Sequence, residues 1–91
     1  MKKAMKIFIF GTVQGVFFRK YIKDSADKVG VKGFVRNKED GSIEIVVEGN
    51  SKEVNDMVEL CKQGPPHSQI RRVDFLDEKF QGLSGFKILR F

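Results

Sequence analysis

Apolar residues in this chain repeat at two different spacings, and the order in which those spacings alternate leaves few folds open. Residues 6–10 form a run rich in Ile and Phe, which predicts a strand closed by Gly11. From Phe17 to Val29 the spacing becomes helical. Phe18, Tyr21, Ile22, Ala26 and Val29 line one face, while Lys20, Lys23, Asp24, Asp27 and Lys28 take the other, with Gly30 as the stop. Residues 31–37 and 42–48 read as a hairpin with Asp40-Gly41 in its turn. In its second arm Ile43, Ile45 and Val47 alternate with Ser42, Glu44 and Glu48, the period of a half-buried strand. Asn50-Ser51-Lys52-Glu53 carries a cap and an acidic first turn. Val54, Met57, Val58 and Cys61 follow at helical spacing until Gly64-Pro65-Pro66. Residues 70–76 and 86–91 close the chain as strands.

The predicted order is β-α-β-β-α-β with a short extra strand. Two amphipathic helices cannot bury their stripes alone, so they are expected to cover one face of a sheet. The fold class is therefore α+β: a ferredoxin-like βαββαβ sandwich, with an antiparallel sheet of four strands plus a short fifth and two helices on one face. A length of 91 residues holds one such core, so residues 1–91 are expected to be a single domain. This fold hosts many unrelated functions and does not select a chemistry.

Composition removes several classes. The longest apolar run of the first half, Ile7-Phe8-Ile9-Phe10, is far short of the roughly 20 residues of a membrane helix, and Met1-Lys2-Lys3 opens no secretory signal. One cysteine, Cys61, forms no internal disulfide, and with one histidine, His67, there is no metal-ligand spacing. The expectation is a cytoplasmic protein without metal or other cofactor. Seventeen Lys+Arg against twelve Asp+Glu give +5, a field that draws anions, but the cations are scattered. Charge alone does not separate a polyanion from a small phosphate.

The segment with chemical content is Gly11-Thr12-Val13-Gln14-Gly15-Val16-Phe17-Phe18-Arg19, joining the first strand to the first helix. A helix start carries unpaired N–H donors and about half a positive charge, a ready anion site. Arg19 stands in the first turn, where a cation opposes the helix dipole, and an anion held between amides and guanidinium would resolve that conflict. A solvated charge on a surface helix accounts for Arg19 equally well, and Gly11 and Gly15 also fit as turn residues. Neither the P-loop nor the dinucleotide fingerprint is present. The second feature, Gly33-Phe34-Val35-Arg36-Asn37, ends a strand. Asn is ordinarily a turn former there, but its amide can also donate to an anion and accept from a water.

These two segments, read as G-x-V-Q-G-V-x-F-R and G-F-V-x-N-x-x-x-G, resemble the acylphosphatase family. The first matches without departure, and the second continues to Gly41, with Gly49 closing the pattern. Ile43 stands where Val is usual. The similarity runs along essentially the whole chain, including Gly64-Pro65-Pro66 and Phe86-Lys87-Ile88, and is to the small stand-alone members. It implies hydrolysis of the carboxyl–phosphate bond of a small-molecule acyl phosphate to a carboxylate and inorganic phosphate. It assigns Arg19 as the phosphate-binding catalytic arginine and Asn37 as the residue orienting the attacking water. It makes the backbone of Gly15, Val16, Phe17, Phe18 and Arg19 the phosphate cradle. It further suggests that the Phe91 carboxylate could hold Arg19 in place, as the C-terminal carboxylate does in some relatives. A monomer engaging neither nucleic acid nor membrane is expected.

The remaining reactive residues read as structural. Cys61 belongs to an apolar stripe, His67 to an exposed loop, and Glu39 and Asp40 to a turn. Of Phe17 and Phe18, one is expected in the core and the other at a pocket rim. An RNA-recognition reading, prompted by Phe8, Phe10 and Lys32-Gly33-Phe34, fails where the motif should continue, because Val35-Arg36-Asn37-Lys38-Glu39 stands there.

Overall fold

A computed structural model of the chain describes residues 1–13 and 16–89. The elements run β1 (Lys2–Thr12), α1 (Val16–Val29), β2 (Lys32–Asn37), β3 (Ile43–Asn50), α2 (Ser51–Gln63), β4 (Gln69–Asp77) and β5 (Phe86–Leu89). The sheet order is β4-β1-β3-β2-β5. The first four strands pair antiparallel in three neighbouring pairs, which gives the expected ferredoxin-like α+β sandwich. The fifth strand departs from the antiparallel expectation, because β5 runs parallel to β2. The cause is the route of the chain. β4 lies at the far edge, and residues 78–85 cross four strand intervals, about 19 Å, before the chain turns up beside β2. Eight extended residues reach roughly 27 Å, so the segment can cross along the end of the sheet where β4 finishes, and β5 then turns back antiparallel to β4 and so parallel to β2.

Apolar periodicity sets the core. Ile7 and Ile9 of β1, Val35 of β2, and Ile43, Ile45 and Val47 of β3 alternate onto one face. Phe18, Ile22 and Ala26 of α1 and Val54, Met57 and Cys61 of α2 meet them there. The Tyr21 hydroxyl ties the helices by donating to the Leu60 carbonyl at 2.9 Å. The start of α2 is a reciprocal capping box: Asn50 Oδ1 accepts from the Glu53 amide at 2.9 Å, and Glu53 Oε1 accepts from the Asn50 amide at 3.3 Å. Asp40 shapes the hairpin turn by accepting from both the amide and the hydroxyl of Ser42, and those bonds hold its carboxyl below the usual range.

Two local readings are corrected. Gly11 does not close β1. The strand continues to Thr12 across a bulge between Phe10 and Gly11, where Gly11 has φ 140° and a Cβ would run into the Gln69 carbonyl. Nor is β3 half-buried: Glu44 and Glu48 are buried on the face away from the helices. Arg36 pairs with Glu44 at 2.8 Å. The Glu48 carboxylate accepts from the Gln81 amide at 2.5 Å and the Leu83 amide at 2.8 Å, so it clasps the crossing segment onto the sheet. Glu48→Ala leaves those two amides without a carboxylate. At about 1.5 kcal/mol or more for each charge-assisted bond, it is expected to lose roughly 3 kcal/mol in denaturant unfolding.

Candidate functional site

β1 and β2 both pair antiparallel with β3, so they are parallel to each other and end on the same edge of the sandwich. Asn37 is the last residue of β2. It faces Ile43, which faces Ile9 on the other side. Ile9, Ile43 and Val35 all belong to the core, so alternation turns the Asn37 side chain to the helix-covered face. Asn37 is half-buried, and its Oδ1 is a buried side-chain acceptor without a hydrogen-bond partner among the described residues. An acceptor left so costs about 1–3 kcal/mol, which is why buried polar groups almost always find a partner or a water.

Three residues beyond Ile9, β1 ends and the chain crosses to α1. Phe18 is driven into the core at 4% exposure, while Phe17 stands 84% exposed, which gives the two rings the expected separate fates. Arg19 follows, half-buried in the first turn. That turn contains no acidic residue, and the positive end of α1 starts from the same edge of the sandwich on which β2 ends at Asn37. Val16, Phe17, Phe18 and Arg19 open the helix, where their amides precede the intrahelical bonds. Gly15 and the Phe91 carboxylate lie outside the described residues.

Gly33 of the second motif has a structural reason. Its φ is 145°, a Cβ would collide with the Val46 carbonyl, and its amide donates to Gly85 at 2.9 Å. Glycine here lets β2 lie close on β3.

A feature without a sequence signal lies on the other flank. Thr12 pairs with Gln69, so the turn preceding β4 is drawn up beside the end of β1. Between them is a cavity of about 210 Å³, lined by Thr12, Val13, Phe17 and Phe18 on one side and residues 65–68 on the other. His67 is an exposed loop residue, as expected, but it has φ 67°, a left-handed conformation uncommon outside glycine, and it lines this cavity.

Cys61 takes no part. It is fully buried, and burial pushes its thiol up to about 12. A thiolate reagent at pH 8 is expected to leave it unmodified until the protein unfolds. Its folded value exceeds the ordinary 9.0, so its contribution to stability is complete below pH 9 and is lost as pH rises toward 12. Burial raises the Tyr21 phenol in the same direction. The unfolding midpoint in denaturant should therefore fall between pH 8 and 10.5. Among the described residues no three His, Cys, Asp or Glu side chains gather as a metal site, and no helix is long and apolar enough to cross a membrane.

Fold and site together define a class: a small ferredoxin-like α+β protein whose candidate anion site lies where the first strand passes into the first helix. The acylphosphatase family model matches residues 5–88. An acylphosphatase of Syntrophus aciditrophicus is 40% identical over 98% of this chain and 94% of its own length. The crystal structure of acylphosphatase from Bacillus subtilis superposes with a TM-score of 0.90 at 33% identity, covering 98% of this chain and 99% of that one. The full-length HypF structure in its phosphate- and nucleotide-bound form matches with a TM-score of 0.86 at 32% identity, but over only 12% of its chain. The chain belongs to the acylphosphatase family and is an enzyme of that family.

Proposed function

We propose that this protein hydrolyses the carboxyl–phosphate bond of small-molecule acyl phosphates to carboxylate and inorganic phosphate, without a metal and without a covalent intermediate. The observation that carries the reading is the buried, unpartnered Oδ1 of Asn37 on the same sheet edge as Arg19 and the start of α1. A water donating one hydrogen to that oxygen is fixed in orientation, with a lone pair left to face phosphorus. The Arg19 guanidinium offers two parallel hydrogen bonds to phosphoryl oxygens at a charge that does not titrate away. The amides of Gly15 to Arg19 add fixed donors where charge shifts in the transition state.

This inventory is sufficient because the leaving group is a carboxylate, which departs without protonation. Phosphoryl transfer passes through a loose transition state, so the protein has chiefly to position and to stabilise charge. The attacking water forms the new P–O bond as the bond to the acyl oxygen breaks, and its proton passes to a phosphoryl oxygen of the substrate. An amide such as Asn37 is too weak a base to take it. Neither Arg19 nor Asn37 is a nucleophile, and the Cys61 thiol is sealed in the core, which supports direct attack by water.

The same reading takes residues 1–91 as one domain of a cytoplasmic monomer that engages neither nucleic acid nor membrane. In support, the rings where bases would stack are already covered: Lys38 Nζ lies 4.8 Å from the Phe8 centroid and Arg72 Cζ lies 4.3 Å from that of Phe10. The experiment is hydrolysis of acetyl phosphate in ¹⁸O-water with excess chelator. The expected result is undiminished rate and label in inorganic phosphate. Loss of rate on chelation, or a phosphorylated protein trapped by acid quench, would overturn the reading.

A further inference from the structure

We propose that Asp40 is a positioning residue for the hydrolysis: its carboxylate sets the hairpin turn that aims the Asn37 carboxamide at the attacking water. The role rests on the water-orienting reading of Asn37 given above and concerns what holds that side chain in place. Asn37 Oδ1 has no hydrogen-bond partner among the described residues, so no protein donor fixes the oxygen that the water would meet. Its aim then depends on the backbone that carries it. β2 ends at Asn37, opposite Ile43. One step beyond, the Lys38 amide donates to the Ser42 carbonyl at 2.8 Å, and the Gly41 amide donates to the Lys38 carbonyl at 3.1 Å. The bond to Ser42 joins the two arms immediately past Asn37, and it is only as well placed as Ser42.

Asp40 holds that end. Its Oδ1 accepts from the Ser42 amide at 2.9 Å and from the Ser42 hydroxyl at 2.6 Å. Ser42 is buried, so both donors need an acceptor, and one carboxylate oxygen serves the two. The same bonds hold the carboxyl below its usual range, which keeps the acceptor charged through neutral pH. The tip of the turn has no comparable support. Gly41 has φ 91°, and the place its Cβ would take is open space. Contact therefore runs from Asp40 through Ser42 and the Lys38 amide to the backbone of Asn37. A displacement of about 1 Å in a positioning group can cost on the order of 10²-fold in rate, so a turn loosened by a fraction of that distance is enough to be read in kcat. The phosphate cradle at the start of α1 has no part in this path, so substrate binding is expected to be spared.

The test is a double-mutant cycle between positions 40 and 37, read as kcat and KM for acetyl phosphate. Asp40→Ala is expected to lower kcat about tenfold, with KM and inhibition by inorganic phosphate held within about twofold. Asp40→Asn keeps an oxygen acceptor for Ser42 and should restore kcat to within about threefold of wild type. Ser42→Ala removes one of the two bonds and leaves the backbone alone, so it should lower kcat about threefold even if Asp40→Ala folds poorly. In the Asn37→Ala background, Asp40→Ala should change kcat by less than about twofold, because the group it positions is gone. A tenfold loss that persists in that background, or full kcat in both Asp40→Ala and Ser42→Ala, would overturn the positioning role and leave the function of Asn37 standing. Full kcat in Asn37→Ala alone would overturn the water-orienting reading and the role of Asp40 with it.

Discussion

Arg19→Lys is expected to lower kcat/KM for acyl phosphate hydrolysis by about 10²–10³-fold, the usual consequence of losing a preorganised donor to a charge-bearing oxygen. The substitution separates two things arginine supplies. Lysine keeps the positive charge at the start of α1, so long-range attraction of the phosphate is expected to survive. On the proposed reading, what goes is the planar fork that would hold two phosphoryl oxygens at fixed spacing, and with it the registry between phosphorus and the water. Both kcat and KM should suffer, and the inhibition constant of inorganic phosphate should rise with KM. Arg19→Ala, which loses charge and fork together, should fall further. Far-ultraviolet circular dichroism should be unchanged, since Lys and Ala are good helix formers at this half-buried position. Retention of activity within fivefold by the lysine variant would show that charge alone suffices and that the fork has no role.

The site and the scaffold differ in how far the amino-acid order reveals them. Local rules place the helices well. The Phe18–Ile22–Ala26 stripe, the Asn50–Glu53 box and the stop at Gly64 are each settled by neighbours within one or two turns, and all three stand where spacing predicts them. Features that depend on distant partners are not legible in this way. Gly11 reads as the end of a strand because its requirement for glycine comes from the Gln69 carbonyl, which arrives only when β4 pairs with β1. Glu44 and Glu48 read as solvent-facing because alternation reports which face a residue is on, not what later crosses that face. Arg36 and the amides of Gln81 and Leu83 cover them. The parallel direction of β5 has the same origin.

The candidate site residues fall between these cases. A cation at a helix start is a visible violation of the dipole rule, so Arg19 attracts notice from sequence, yet a solvated surface charge explains it as well. Asn37 carries no such signal, because Asn at a strand end is ordinary. Only the row Asn37–Ile43–Ile9 turns its amide toward the core face, and only burial makes its oxygen unusual. His67 is less legible still, since its place beside the end of β1 exists only through the pairing of Thr12 with Gln69.

Asn37→Ala should cut kcat by about 10²–10³-fold while KM and the inhibition constant of inorganic phosphate stay within about threefold. The separation follows from where the side chain stands. It lies two strands from the end of β1 and outside the cradle, so the anion keeps the amides and the guanidinium when the carboxamide is removed. On the proposed reading, what is lost is the buried acceptor that would fix one hydrogen of the water, and a water free to rotate attacks with its lone pair poorly directed. Folding should not suffer. Alanine leaves the strand pairing opposite Ile43 intact and removes an oxygen that costs free energy to bury, so the melting temperature should hold or rise. Asn37→Asp supplies the complementary outcome. It keeps an acceptor for the water but sets a negative charge near the phosphoryl dianion, so KM should rise at least tenfold and the rise should shrink in high salt. A variant pair in which alanine abolished phosphate binding and aspartate left it intact would place Asn37 on the phosphate rather than on the water, and the division of labour between the two side chains would have to be reversed.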